Sequence, residues 1–134
     1  MADADMVLVA KDDYYIIYVN NRKNRMYTVL IDFWQNTSDI PNYINDVASA
    51  LEKLSPGFTL LMDLTRFNGA SYEMSNNYVE AQKLAVEAGC KRIAEVIPSN
   101  PLIKMLSKDY SKKTGASVMT FNDIKHAERW LDLY

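Results

Sequence analysis

The sequence has one cysteine, Cys90, and one histidine, His126, among 134 residues. A lone cysteine excludes an internal disulfide and a multi-cysteine metal site, and a lone histidine excludes every metal motif and catalytic triad that needs two. Four glycines and four prolines are too few for a disordered or fibrous chain, and 49% of the residues are apolar. The glycines are isolated, which excludes a glycine-rich phosphate loop. These counts indicate one globular domain, residues 1–134, without a metal or cofactor site.

Neither sign of charge dominates, since the net charge is −2 and the pI about 5.3. Such a chain lacks the clustered basic surface that nucleic acid requires. The segment Met1–Met6 carries two acids and no basic region, and the apolar stretch after it is too short for a signal peptide. Other apolar runs fall well below the roughly 20 residues of a membrane helix. We therefore expect a cytoplasmic protein that neither binds nucleic acid nor inserts stably into a membrane.

The first third of the chain predicts a short edge strand, Met6–Ala10, followed by an antiparallel hairpin. Its strands, residues 14–19 and 26–33, are rich in the aromatic and β-branched residues that fit a pleated surface, and a polar, asparagine-rich turn joins them. Four tyrosines fall in this hairpin: Tyr14, Tyr15, Tyr18 and Tyr27. Because tyrosine combines apolar contact area with a polar tip, they favour a homodimer through the hairpin or, alternatively, cross-strand packing within it.

From Ser38 onward, apolar residues alternate between helical and strand spacing. Helices are predicted from residues 38–39 to 54, 74 to 88, 101 to 114 and 123 to 134, with strands at 58–64, 92–97 and 117–121. The segment Thr65–Ser71 is interpreted as a turn. The third helix is expected to bury Leu102, Ile103, Leu106 and Tyr110. Crossovers of this length predict an α/β fold class, a mixed β-sheet with an N-terminal hairpin followed by alternating helices and strands.

The sequence resembles the STAS (anti-sigma-factor antagonist) domain, and most of all its SpoIIAA-like branch, which is related to the SEC14 lipid-binding fold. The resemblance covers roughly residues 13–134. It rests on the hairpin, on Leu61-Met62-Asp63-Leu64-Thr65 after the first long helix, and on Met119-Thr120-Phe121-Asn122-Asp123 leading to Ala127-Glu128-Arg129-Trp130-Leu131. What it implies is a bacterial, cytoplasmic regulatory domain.

The resemblance also implies a site at the start of the second long helix, where the family carries a phosphorylated serine after an acid. Counting from Asp63, the serine would fall at Tyr72 and the acid at Ser71, so the pair itself is absent. The candidates for partner binding or phosphorylation are therefore Asp63, Thr65, Ser71, Tyr72 and Ser75. A helix N-terminus suits phosphate because its free N–H groups and dipole favour anions.

Each of these residues also has a purely structural interpretation. Ser71 and Ser75 suit the cap and first turn of a helix, and Asp63 is expected to hydrogen-bond to the segment that follows it. His126 is interpreted as a surface histidine, because no catalytic partner for it is visible in the sequence, and Cys90 as a small residue packed between a helix and a strand. The lysines 104, 108 and 112 are expected on a solvated helix face, with an anionic headgroup or acidic partner as the alternative.

Three functions remain open. The first is a non-enzymatic regulatory or protein-interaction module, as the STAS resemblance implies, binding a protein partner near residues 65–78. The second is a small lipid or hydrophobic-ligand carrier of the SEC14-like type, although a chain of this length leaves little room for a cavity. An enzyme is the weakest, because no catalytic constellation is visible in the sequence.

Overall fold

Six strands form one sheet, and their order across the sheet is their order along the chain. The computed structural model describes residues 5–133, without the side chains of Leu106, Asp109, Tyr110 and Ser111. Strands β1 (Met6–Lys11), β2 (Tyr15–Asn20) and β3 (Arg25–Trp34) are antiparallel neighbours, whereas β4 (Thr59–Ala70), β5 (Arg92–Val96) and β6 (Val118–Phe121) continue parallel to β3. The mixed sheet, its hairpin and its parallel part are confirmed. The predicted burial of Leu106 and Tyr110, and the targeting argument on residues 1–4, lie outside the described residues.

The helices alternate with the parallel strands as predicted. They are α1 (Tyr43–Leu51), α2 (Tyr72–Glu87), α3 (Pro101–Thr114) and α4 (Ile124–Asp132). Helix α1 begins later than expected because Thr37–Asp39 forms a separate 3-10 turn. Asn36 and Asp39 form a capping box at the start of this turn, in which each side chain contacts the backbone of the other residue. Within residues 5–133, each helix is too short or too polar to cross a bilayer.

The prediction of a turn at Thr65–Ser71 is wrong, because β4 continues through it to Ala70. The pairing of β4 with β5 ends at Asp63, but its pairing with β3 continues to Trp34 opposite Ala70. Two register shifts in the pairing of β3 with β4 accompany this extension, each with one extra residue on β4, and Asp32 adopts φ +66 at the second of them. The Asn68-Gly69 dipeptide is typical of a turn. Here it is part of a strand, because Gly69 and Ala70 pair with Phe33 and Trp34 of β3.

The two faces of the sheet bury different clusters. Leu60 and Ile93 face α1, α2 and α3 in the larger core, whereas Leu61 and Ala94 face α4 in a smaller one. Successive side chains of a strand point to opposite faces of the sheet, so residues next to each other in sequence belong to different clusters. Leu102 does not join either core, contrary to expectation. It is half exposed, and Ile103 beside it fills the position against the sheet.

Helix α4 is attached to β3 by a buried arginine. The guanidinium of Arg25 is almost fully buried and donates to Glu128 and to Asp132, both at 2.9 Å, while its Nε donates to Thr59 at 2.8 Å. The hydroxyl of Tyr27 donates to the same Glu128 carboxylate at 2.7 Å. An arginine withdrawn from water requires such partners, so these contacts fix where α4 lies on the sheet.

We predict that Glu128→Ala lowers the free energy of unfolding by about 3 kcal/mol, because it removes one of two carboxylates that compensate a buried charge. Urea unfolding measures this. The matched control is Glu80→Ala on the exposed side of α2, which should stay within about 0.5 kcal/mol of wild type. Equal losses in both variants would show that Arg25 does not depend on Glu128.

Candidate functional site

The five candidate residues lie at two separate places. Asp63 and Thr65 lie in the middle of β4, whereas Ser71, Tyr72 and Ser75 lie at the start of α2. The strand from 65 to 71 separates them by roughly 20 Å of extended chain. The structure therefore does not bring the candidates together as one site.

Asp63 and Thr65 form a local contact. The Asp63 carboxylate accepts the backbone N–H of Thr65 at 3.0 Å and its hydroxyl at 2.6 Å. The predicted hydrogen bond from Asp63 to the following segment is confirmed, although that segment is strand. Whether either residue contacts a partner stays a prediction.

Ser71 is the N-cap of α2. Its hydroxyl oxygen accepts the N–H of Met74 at 3.2 Å, and the hydroxyl donates to the carbonyl of Gln35 at 2.9 Å. Ser75, one turn later, donates its hydroxyl to the carbonyl of Tyr72 at 2.7 Å. Both structural interpretations are confirmed, and Ser71 additionally connects the start of α2 to the segment after β3.

Tyr72 is the first residue of α2 and is 89% exposed. Large apolar side chains on the adjoining elements are also open to solvent: Phe33 at 39%, Leu102 at 50% and Met105 at 56%. Phe33 pairs with Gly69 in the β3–β4 ladder, and a methyl group placed on Gly69 would lie 3.5 Å from the Phe33 ring and 4.0 Å from Ile103 of α3. We call Phe33, Tyr72, Leu102 and Met105 the α2-start surface. These four residues lie near the end of β3 and near the starts of α2 and α3.

Glu95 is fully buried in β5, a position that the sequence analysis did not single out. Its carboxylate accepts hydrogen bonds from the Tyr78 hydroxyl of α2 at 2.5 Å and from the Ser107 hydroxyl of α3. Burial raises the pKa of the Glu95 carboxyl above its ordinary 4.5, and the two hydrogen bonds act in the opposite direction. We call these three residues the Glu95 cluster. A glutamate among the apolar residues Ile93, Ala94 and Val96 of one strand was the available signal in the sequence.

Ser107 also lines an open cleft of about 300 Å³ between α3 and β6, together with Lys104, Lys108 and Thr120. The lysines at 104, 108 and 112 are exposed, as the solvated-face interpretation predicts. Lys104 and Lys108 thus line the same cleft as Ser107 of the Glu95 cluster. Their contact with a headgroup or an acidic partner stays a prediction.

A second open cleft, of about 430 Å³, lies where β5 and β6 end beside the start of α4. Thr65 and Val96 line its strand side, and Lys125, His126 and Arg129 line its helix side. In open α/β sheets, ligands bind outside the carboxyl ends of the strands, which is where this cleft lies. We call it the α4 cleft.

His126 is a surface histidine, as interpreted, since its side chain is 65% exposed. It contacts the residue that caps α4. Asp123 caps α4 by accepting the backbone N–H of His126 at 2.8 Å, and its second oxygen lies 2.7 Å from Nδ1 of the same residue. Those contacts hold the pKa of the Asp123 carboxyl below its ordinary range. An aspartate three residues before a histidine at a helix start is the signal that identifies the pair.

Two other predictions concern single side chains. Burial raises the pKa of the Cys90 thiol to about 12, which fits a packed and unreactive cysteine. In the hairpin, Tyr15 donates its hydroxyl to Asp46 at 2.6 Å and Tyr27 donates to Glu128, so part of the tyrosine enrichment serves internal packing. The homodimer stays a prediction.

No protein-family model and no curated protein matches the chain. A solved structure does match, with 14% identity, a TM-score of 0.57 and 98% of each chain covered. It is an uncharacterised protein of the DUF3478 family from Shewanella loihica PV-4, described as having a SpoIIAA-like fold. The chain has a SpoIIAA-like fold. At this identity the likeness concerns the fold and not the function.

Within the SpoIIAA-like fold, α2 follows the β4 strand that contains Asp63. It is therefore the helix at whose start the STAS resemblance implies a regulatory serine. Ser71 occupies the N-cap there and Tyr72 the first helical position. Tyr72 of the α2-start surface thus lies in the segment 65–78 that is expected to bind a partner, whereas Phe33, Leu102 and Met105 lie outside it.

We predict that Glu95→Gln becomes more stable relative to wild type as pH rises above about 4.5, the ordinary value for glutamate. The native carboxyl keeps its proton to higher pH than the unfolded chain does, so the native state binds more protons in this range and wild type loses stability with rising pH. Urea unfolding of both proteins at several pH values measures the difference. Glu80→Gln, at an exposed position of α2, is the control, and its difference in stability from wild type should not change with pH. Parallel curves for Glu95→Gln and wild type would contradict the prediction.

Proposed function

We propose that this chain is a non-enzymatic regulatory module that binds a protein partner through the α2-start surface. The observation that carries the proposal is the position of Tyr72, which is 89% exposed at the first position of α2 and has other exposed apolar side chains on the elements around it. Tyrosine is over-represented among the residues that contribute most to protein interfaces, since it combines apolar area with a polar tip.

The charges beside this surface favour one kind of partner. Asp32 directly precedes Phe33, Glu73 directly follows Tyr72, and both acids are exposed. Around Phe33 and Tyr72, an apolar centre bordered by acids complements a protein segment whose apolar anchor is flanked by basic residues. At the α3 end, the exposed Lys104 between Leu102 and Met105 suits an acidic group of the same partner. We propose a partner of that chemistry.

Ser71 provides a means of switching the interaction. Its hydroxyl donates to the Gln35 carbonyl, and a phosphate there would replace the donor with a dianion facing that oxygen. We therefore expect phosphorylation to separate the start of α2 from the end of β3 and to displace Tyr72. Ser75 is a second acceptor on the same helical turn.

The carrier alternative has less support. The cavity between the sheet and α1 and α2, lined by Thr28, Tyr43, Met62, Tyr78 and Gln82 among others, has a volume of about 10 Å³. That is room for about one water molecule and not for an acyl chain.

Affinity capture from the host lysate, followed by quantitative mass spectrometry, tests the proposal. We predict that wild type retains one protein in fixed stoichiometry and that Tyr72→Ala reduces its retention about tenfold or more, as expected for an interface tyrosine. Leu133→Ala is the matched control, because Leu133 is also exposed but lies after α4. It should retain the partner as wild type does.

Replacing Ser71 and Ser75 with aspartate should also reduce retention if the switch operates. All variants must keep the melting temperature of wild type within a few degrees, since their side chains are partly or fully exposed. Equal retention by wild type and Tyr72→Ala would contradict binding through the α2-start surface. A stoichiometric lipid in the purified protein would instead favour the carrier.

A further inference from the structure

The α4 cleft combines several nitrogen donors that the described part of the chain leaves unused. The side chains of Asn122, Lys125 and Arg129 line it, and none of them forms a hydrogen bond or ion pair with any described residue. His126 uses Nδ1 against Asp123. The donors of Asn122, Lys125 and Arg129 therefore converge on one cavity, from the first two turns of α4 and from the segment before it.

The charge of the cleft is positive. Lys125 and Arg129 contribute one positive charge each. Asp123, which lines the same cavity, contributes one negative charge, so the positive charges are in excess. Both oxygens of Asp123 are already engaged by His126, through its backbone N–H and its ring. Asp123 thus also fills the capping position of α4, so an anion in the cleft would depend on the side chains and not on free N–H groups of the helix.

One part of the wall is apolar. Val96, at the end of β5, lines the cleft, and Ile124, the first residue of α4, is about half exposed beside it. The volume of about 430 Å³ is within the range of small-molecule sites and larger than a bare inorganic anion needs. A matching ligand therefore has a charged end and an apolar body.

We propose that the α4 cleft binds a small organic phosphate monoester, with Arg129 and Lys125 on the phosphate and the apolar body against Val96 and Ile124. Phosphate is favoured over carboxylate because its three terminal oxygens accept more of the available donors, and a guanidinium donates two parallel hydrogen bonds to it. The side-chain amide of Asn122 supplies a further donor. This site lies apart from the α2-start surface and does not depend on the function proposed there.

Three probes separate the contributions to binding: phenyl phosphate, inorganic phosphate and phenol. Each is titrated into isotopically labelled protein while backbone amide shifts are recorded by NMR. We expect saturable shifts confined to residues 120–130 and near 65 and 96, with phenyl phosphate binding tighter than inorganic phosphate and phenol causing no saturable change. The comparison with inorganic phosphate tests the apolar wall, and the comparison with phenol tests the basic side chains.

Arg129→Gln should weaken phenyl phosphate binding about tenfold or more, since it removes charge-assisted hydrogen bonds. Lys53→Gln makes the same change of charge on the exposed segment after α1 and should bind as wild type does. Both side chains are exposed, so both variants should fold normally, and their amide spectra verify this.

Three results would overturn the proposal. The first is the absence of saturable shifts at the cleft with phenyl phosphate, and the second is equal weakening by Arg129→Gln and Lys53→Gln. The third is binding to vesicles that contain phosphatidic acid without binding of the soluble monoester, which would assign the same basic side chains to a membrane headgroup. Inorganic phosphate binding as tightly as phenyl phosphate would contradict the role given to Val96 and Ile124.

Discussion

The buried carboxylate of Glu95 is the constraint on which the arrangement of α2 and α3 depends. A glutamate without solvent contact in the middle of a sheet is unfavourable unless its oxygens are hydrogen-bonded, and here the hydroxyls come from Tyr78 of α2 and Ser107 of α3. Satisfying this one side chain therefore requires both helices to lie at defined positions over β5. Gln82 and Thr114 add a second polar contact, at 2.5 Å, between the same two helices.

The two helices in turn determine the candidate binding surface. Tyr72 begins α2, and Leu102 and Met105 belong to the first turns of α3, so the α2-start surface exists only while both helices are held against the sheet. On the other face, Arg25 fixes α4 through Glu128 and Asp132, and α4 in turn supplies Lys125 and Arg129 to the α4 cleft. Buried polar groups on opposite faces of the sheet thus position two surfaces of different chemistry, one mainly apolar and one basic.

Sequence reasoning was sufficient for the fold because periodicity is a local property. The apolar spacing of residues 74–88 and the aromatic strands of the hairpin specify their elements without reference to the rest of the chain. The extension of β4 through Gly69 could not be found in this way, because pairing with the distant end of β3 stabilises it. The site was predicted less completely. Ser71 as a cap follows from local sequence, whereas the Glu95 cluster joins residues from three separate elements and the exposure of Leu102 depends on which side of α3 meets the sheet.

Hydrogen–deuterium exchange on Glu95→Ala tests the central claim, that the buried carboxylate holds α2 and α3 on the sheet. The account predicts a large loss of protection in the amides of α2 and α3, because two buried hydroxyls lose their acceptor, while the amides of α4 on the opposite face keep the protection they have in wild type. Unchanged protection in α2 and α3, or an equal loss in α4, would contradict it.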